Sequence, residues 1–104
     1  MSKFLAIIMS YDTEKIQLGL MFYQNMKMAG HSVRVAFFGP SERALAEDQE
    51  LKKMVEALQE KPKACVLCAK QYSIENKINE LADLILVGNY IAESVEQGYI
   101  IITF

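Results

Sequence analysis

Two cysteines three positions apart, Cys65 and Cys68, are the residues of this 104-residue chain best suited to chemistry. They are its only cysteines, and they stand where an apolar run gives way to a helix-like pattern. A thiol at a strand-to-helix turn faces the unpaired amides of the helix, which stabilise a thiolate. We therefore expect the Cys65 sulfur to be ionised and reachable, and able to hold a sulfane sulfur atom as a persulfide.

Other interpretations of the cysteine pair remain open. Free cysteines are among the most buried residues, so Cys65 could be an inert core residue. A dithiol–disulfide centre is disfavoured, because a thioredoxin-type pair follows an early strand and has aromatic and Gly-Pro neighbours, unlike Val66 and Leu67. Cys68 either resolves or relays sulfur from Cys65, or serves only in packing.

The sequence predicts neither a metal site nor a cofactor. Zinc needs three or four ligands, whereas the chain has two cysteines and one histidine. That histidine, His31, follows a helix-ending glycine at the opposite end of a parallel sheet from the cysteines, where we expect a solvent-facing turn residue. No phosphate-binding glycine loop follows the first strand, which disfavours a dinucleotide or nucleoside triphosphate.

A rim of polar and aromatic residues is expected around the cysteines, because open parallel sheets bind ligands at the carboxyl ends of their strands. Each member also has a simpler explanation: the aspartate can cap a helix, the lysine can be a solvated surface residue, and the tyrosines can cover the edge of the sheet. The predicted rim residues are Tyr11, Asp12, Lys70, Asn89 and Tyr90.

Apolar segments alternate with helical patterns along the whole chain. Strands are predicted over residues 4–9, 32–38, 64–67, 84–88 and 99–104. Helices are predicted over residues 13–29, from 41 to Pro62 with a break near 47–48, over 68–81 with a kink at Ser73, and over 89–97. This order predicts a single α/β domain: a three-layer α/β/α fold with a five-stranded parallel sheet.

Composition limits the functional classes. The hydrophobic fraction is 52% and the charged fraction 23%, which is typical of a globular domain. With 11 basic and 13 acidic residues the net charge is −2, so we expect no direct nucleic-acid binding. No apolar run is long enough to span a membrane, and no signal peptide is evident, so we expect a cytoplasmic protein.

The first predicted helix is apolar over a wider arc than one buried stripe requires. Ile16, Leu20 and Tyr23 mark one line. The neighbouring line contains Leu18, Met21, Phe22 and Met28. Such an arc is either one broad core face or a core face beside an oligomer interface, and we favour the interface.

Three segments resemble the DsrE/DsrF/DsrH-like family, which includes YchN-like and Tus sulfur-relay subunits. They are residues 4–8 (FLAII), 28–39 (MAGHSVRVAFFG) and 64–70 (ACVLCAK), and the resemblance extends over residues 1–104 as a single domain. The cysteine segment is the most specific of the three. Where many relatives have an Arg-Gly pair after the cysteine, this chain has residues 71–73 (QYS).

The resemblance implies a function. In that family the cysteine at the end of the third strand carries sulfur as a persulfide within a relay between partner proteins. Cys65 matches that position, and Cys68 resembles a second cysteine found in some members. The resemblance also implies trimers or hexamers. The expected function is thus a sulfur carrier with sulfurtransferase-like activity. The alternatives are a non-catalytic binding or assembly module with structural cysteines, and a small-molecule-binding regulatory subunit that uses the rim at Tyr11, Asp12 and Asn89.

Overall fold

A computed structural model describes residues 1–104, which form five strands and six helices. The strands are β1 (Lys3–Ile8), β2 (Ser32–Phe37), β3 (Lys63–Cys65), β4 (Asp83–Ile85) and β5 (Ile100–Thr103). The helices are α1 (Thr13–Met28), α2 (Pro40–Glu47), α3 (Gln49–Glu56), α4 (Val66–Gln71), α5 (Glu75–Asn79) and α6 (Val87–Glu96).

All neighbouring strands pair in parallel, in the order β4-β3-β2-β1-β5. The central strand pair, β1 with β2, is in register from Lys3 opposite Ser32 to Ile8 opposite Phe37. Helices cover both faces, so the predicted three-layer α/β/α fold with a five-stranded parallel sheet is confirmed.

The two faces of the sheet bury different cores, because side chains alternate along each strand. Ala6 and Ile8 of β1 belong to a core of 17 buried residues that includes residues of α1, α2, α3, α4 and α5. Leu5 and Ile7 belong to a smaller core of five buried residues on the face of α6. Cys65 is part of this smaller core.

Helix boundaries confirm two predicted breaks. Helices α2 and α3 separate at Asp48, whose side chain accepts hydrogen bonds from the amides of Glu50 and Leu51 and so begins α3. Ser73 separates α4 from α5 and has a φ of 57°, a left-handed conformation that cannot continue a helix.

Two predicted strand ends are wrong by two or more residues. Strand β3 ends at Cys65 rather than at residue 67, and β4 ends at Ile85 rather than at residue 88. In both cases the apolar run continues into the first turn of the next helix, at Val66 and Val87, because those residues are also apolar. An apolar run cannot by itself distinguish a buried strand from a buried helix start.

Helix α1 packs very closely on the sheet at Gly19. A Cβ at this position would lie 2.9 Å from Ile8 Cδ1 and 3.1 Å from Phe104 Cγ, so a glycine is needed there. The neighbouring apolar line is largely outside the core, with Leu18, Met21 and Met28 exposed. No helix of the protein has the length and apolarity to cross a lipid bilayer.

Candidate functional site

Cys65 is the last residue of β3 and the N-cap of α4. Its Sγ accepts a hydrogen bond from the backbone N–H of Cys68, at 3.3 Å. This bond satisfies one of the amides that a helix start leaves unpaired, and it directs a partial positive charge at the sulfur. The thiol therefore occupies the place that Ser, Thr or Asp usually takes at a helix start.

The two sulfurs differ in burial. Cys65 is only 4% exposed, so the prediction that its sulfur is openly reachable is wrong. Its neighbours in the smaller core are all apolar: Leu5, Ile7, Ala36 and Val87. Cys68 is half-buried and packs against the same core, so it is the more exposed of the two cysteines.

Glu42 is a third chemically capable residue at this site. It lies in the first turn of α2, which begins after β2, the strand next to β3. Gly39, with a φ of 90°, turns the chain so that its amide donates to Glu42 Oε2 at 3.3 Å. The residue is completely buried, and its second oxygen, Oε1, has no hydrogen-bond partner.

Potential ligand atoms of Glu42, Cys65 and Cys68 all lie within 4.8 Å of one another. The β2–α2 and β3–α4 turns bring them together, because the carboxyl ends of neighbouring parallel strands share one edge of the sheet. Sequence reasoning missed Glu42, which is 23 positions before Cys65 and reads as an ordinary first-turn acidic residue. The same set of donors could also hold a metal ion.

Burial controls the protonation of this cluster. Desolvation raises the pKa of Glu42 from 4.5 to about 7, against the opposing effects of hydrogen-bond interactions with the Gly39 amide, the Cys65 backbone and the Cys68 thiol. Desolvation, together with the hydrogen bond and charge interaction with Cys65, raises the pKa of Cys68 to about 12. Cys68 therefore keeps its proton at neutral pH, while Glu42 is poised to gain or lose one.

Four of the five predicted rim residues make no contact with the cysteines that the hydrogen bonds or ion pairs record. Asp12 caps α1, accepting from the amide of Glu14 at 2.8 Å, and Tyr11 donates to Glu47. Lys70 and Asn89 are exposed, and no carboxylate pairs with Lys70.

Tyr90 is the one predicted rim residue that packs against the smaller core. It is half-buried and packs against the smaller core that holds Cys65, and this burial raises its pKa. On its other side the guanidinium of Arg34 lies 5.3 Å from its ring centre and 4.2 Å from that of Tyr99.

A second arginine lies in α2, which follows the carboxyl end of β2. Arg43, the residue after Glu42, has its guanidinium carbon 5.0 Å from the ring centre of Tyr11 and 5.5 Å from that of Tyr72. No carboxylate lies within ion-pair distance of it. The guanidinium of Arg43 is thus stabilised by aromatic rings and not by an ion pair.

Two other features lie away from the cysteines. The Nδ1 of His31 accepts from the amide of Ser2 at 3.0 Å, at the start of β1, and its ring packs on Phe4. The residue is half-buried, not the solvent-facing turn residue expected. A surface groove of about 560 Å³ lies between α1 and the segment after α3, and no cysteine-site residue lines it.

Comparisons with known proteins inform the fold. No family model matches the chain, and no curated protein matches it. Among solved structures it is similar to a conserved protein of unknown function from Bacteroides thetaiotaomicron, with 20% sequence identity and a TM-score of 0.80. The match covers 96% of this chain and 94% of the other, so the two share the whole fold.

Proposed function

We propose that this protein is a sulfur carrier of the DsrE-like kind, which accepts sulfane sulfur as a persulfide on Cys65 and passes it to a partner protein. One observation carries the proposal. The sulfur of Cys65 accepts an amide hydrogen bond at 3.3 Å and lies beside a second thiol and a buried carboxyl group. A thiolate needs such a donor, and sulfur transfer needs a nearby acid.

The loading step conserves atoms and electrons. The Cys65 thiolate attacks the outer sulfur of a donor persulfide R–S–SH, the S–S bond of the donor breaks, and R–S⁻ leaves. The sulfane sulfur keeps its oxidation state, so no external oxidant is required. The leaving thiolate takes up a proton, and the carboxyl of Glu42, with a pKa of about 7, is placed to supply it.

Unloading has two routes. An acceptor thiolate can attack the outer sulfur and leave Cys65 as a thiolate. Alternatively, Cys68 attacks the inner sulfur, expels HS⁻ and forms a Cys65–Cys68 disulfide, which an external thiol must reduce. The raised pKa of Cys68 slows this second route, because the thiolate is the attacking species.

Burial of Cys65 suits a carrier more than a rapid enzyme. A persulfide enclosed by the smaller core is shielded from small reducing thiols until a partner displaces Cys68. The same burial limits the donor to a slender chain or to a partner that opens the site. We therefore propose slow spontaneous turnover and efficient transfer only within a complex.

A non-catalytic binding or assembly module is the second candidate. The 4% exposure of Cys65 favours it, because buried structural cysteines are inert. Slow alkylation of both thiols, together with failure to load sulfur, would support this alternative.

We also propose a cytoplasmic homo-oligomer, a trimer or hexamer, assembled through the exposed apolar residues of α1. Leu18, Met21 and Met28 are 56%, 51% and 85% exposed, and such a stripe is typical of an interface. Sedimentation of the wild-type chain and of Met21→Lys tests this assembly. A monomeric wild type would contradict it.

Intact-mass measurement tests the carrier function. Metal-free protein is incubated with a small persulfide donor and weighed before and after reduction. We expect a reducible gain of one sulfur atom, absent in Cys65→Ala and retained in His31→Ala, whose substitution lies at the other end of the sheet. No gain under conditions that load a known persulfide protein refutes the proposal.

A further inference from the structure

We propose that Glu42, Cys65 and Cys68 form a binding site for one Zn²⁺ ion. The ligands come from two separate turns, β2–α2 and β3–α4, so the folded sheet brings them together. The site does not depend on the proposed sulfur chemistry, although both functions would use the same thiols.

The first argument is the convergence of three donors. Their ligand atoms lie within 4.8 Å of one another. In a tetrahedral zinc site, Zn–S bonds of about 2.3 Å and Zn–O bonds of about 2.0–2.2 Å separate the ligand atoms by roughly 3.5–3.8 Å. The donors must therefore approach one another by at most roughly 1.3 Å.

The second argument is the state of Glu42. One carboxylate oxygen is held by the Gly39 amide, whereas Oε1 is enclosed and makes no hydrogen bond of normal geometry, although the carboxyl group also interacts with the Cys68 thiol and the Cys65 backbone. Buried polar atoms in native proteins nearly always have a partner, and an unpartnered one calls for an unobserved ion, proton or water. A cation between this oxygen and the two sulfurs would supply the missing partner.

The ligand set selects the metal. Two thiolates exclude the hard ions Mg²⁺ and Ca²⁺, which take oxygen ligands, whereas a carboxylate beside them suits a borderline ion such as Zn²⁺. Three protein ligands leave a fourth position for water or an incoming group. The amide of Cys68 already donates to the Cys65 sulfur, and outer hydrogen bonds of this kind orient metal ligands.

This arrangement has a consequence for sulfur transfer. A zinc ion that occupies both thiolates would prevent Cys65 from attacking a persulfide, so zinc and sulfane sulfur would exclude each other. The half-buried Cys68 is the ligand nearest the outside, so ion entry and release would occur past its side chain.

Zinc competition with a chromophoric chelator tests the site in the full chain. We expect one Zn²⁺ per chain for the wild type and for His31→Ala, which removes the only histidine. Glu42→Gln keeps the size of the side chain and its contact with Gly39, and we expect its affinity to fall by at least about tenfold. The zinc affinity of Cys68→Ser should fall further than that of Glu42→Gln.

Cobalt substitution gives a second readout. Co²⁺ should produce a thiolate-to-metal charge-transfer band and the visible bands of a tetrahedral site in the wild type, and Cys68→Ser should weaken the charge-transfer band. Equal zinc affinity of wild type and Glu42→Gln, or octahedral cobalt spectra, overturns the three-donor site. Sulfur loading is measured without metal, so its failure would be a separate result.

Discussion

Replacing Glu42 with glutamine should change how the stability of this protein depends on pH. The wild-type carboxyl is completely buried, and burial raises its pKa from 4.5 to about 7. The native state therefore binds a proton more tightly than the unfolded chain does. The amide side chain of the Glu42→Gln variant would be uncharged at every pH and would retain an oxygen that can accept from the Gly39 amide.

The sign and size of the effect follow from linkage. A raised folded-state pKa contributes stability that is fully present below pH 4.5 and is lost as the pH rises through about 7. Moving a pKa from 4.5 to about 7 corresponds to roughly 3 kcal/mol in total. Between pH 5 and 7.5 the free energy of unfolding of the wild type should therefore fall by roughly 2–3 kcal/mol more than that of the Glu42→Gln variant.

Urea unfolding at several pH values between 5 and 7.5, with a chelator and a reductant present, measures this difference. For an m-value of about 1.5 kcal/mol per molar urea, the wild-type midpoint should fall by roughly 1.5 M more than that of the variant. Subtracting the two curves removes contributions of the other titrating groups. Parallel curves would show that Glu42 titrates normally, and they would refute its placement in a dry, unpaired environment.

Four further substitutions test other parts of the structure. Gly19→Ala places a methyl group 2.9 Å from Ile8 and should lower the free energy of unfolding by about 1–3 kcal/mol. Gly88→Ala, in open space on α6, should raise it slightly. The urea midpoints of the two variants test this pair of predictions. Asp12→Ala removes the N-cap of α1 and should lower the free energy of unfolding by about 1 kcal/mol without changing sulfur loading. Impaired sulfur loading would instead show that Asp12 takes part in the cysteine site. Arg34→Lys should lower the free energy of unfolding by about 1–2 kcal/mol, because an ammonium group cannot replace a guanidinium that donates two hydrogen bonds and stacks on two tyrosines. An unchanged thermal unfolding transition would contradict this prediction.

The order of the elements could be predicted from sequence because the strands are short, apolar and separated by clear helix signals. Asp48 and Ser73 illustrate this: polar residues in apolar patterns predicted breaks that the structure confirms. The ends of β3 and β4 could not be predicted, because valines that begin α4 and α6 are as apolar as the strands before them.

The candidate site was only partly predictable. The change from an apolar run to a helical pattern at the cysteines indicated a helix start, and Cys65 is its N-cap. The burial of Cys65 depends on α6 and on the opposite face of β1, which local sequence does not encode. The part of Glu42 in the site could not be predicted, because a first-turn glutamate is ordinarily a solvated capping residue. Only the pairing of β2 with β3 places it beside the sulfurs.

The position of β5 has a kinetic consequence. This last strand pairs with the first, so Phe4 meets Ile100 across almost the full length of the chain. Such a contact closes a very large loop, and it is among the slowest to form. The order of strand addition should therefore begin with local β-α-β units and finish with β5, leaving β1 with an open edge in partly folded molecules.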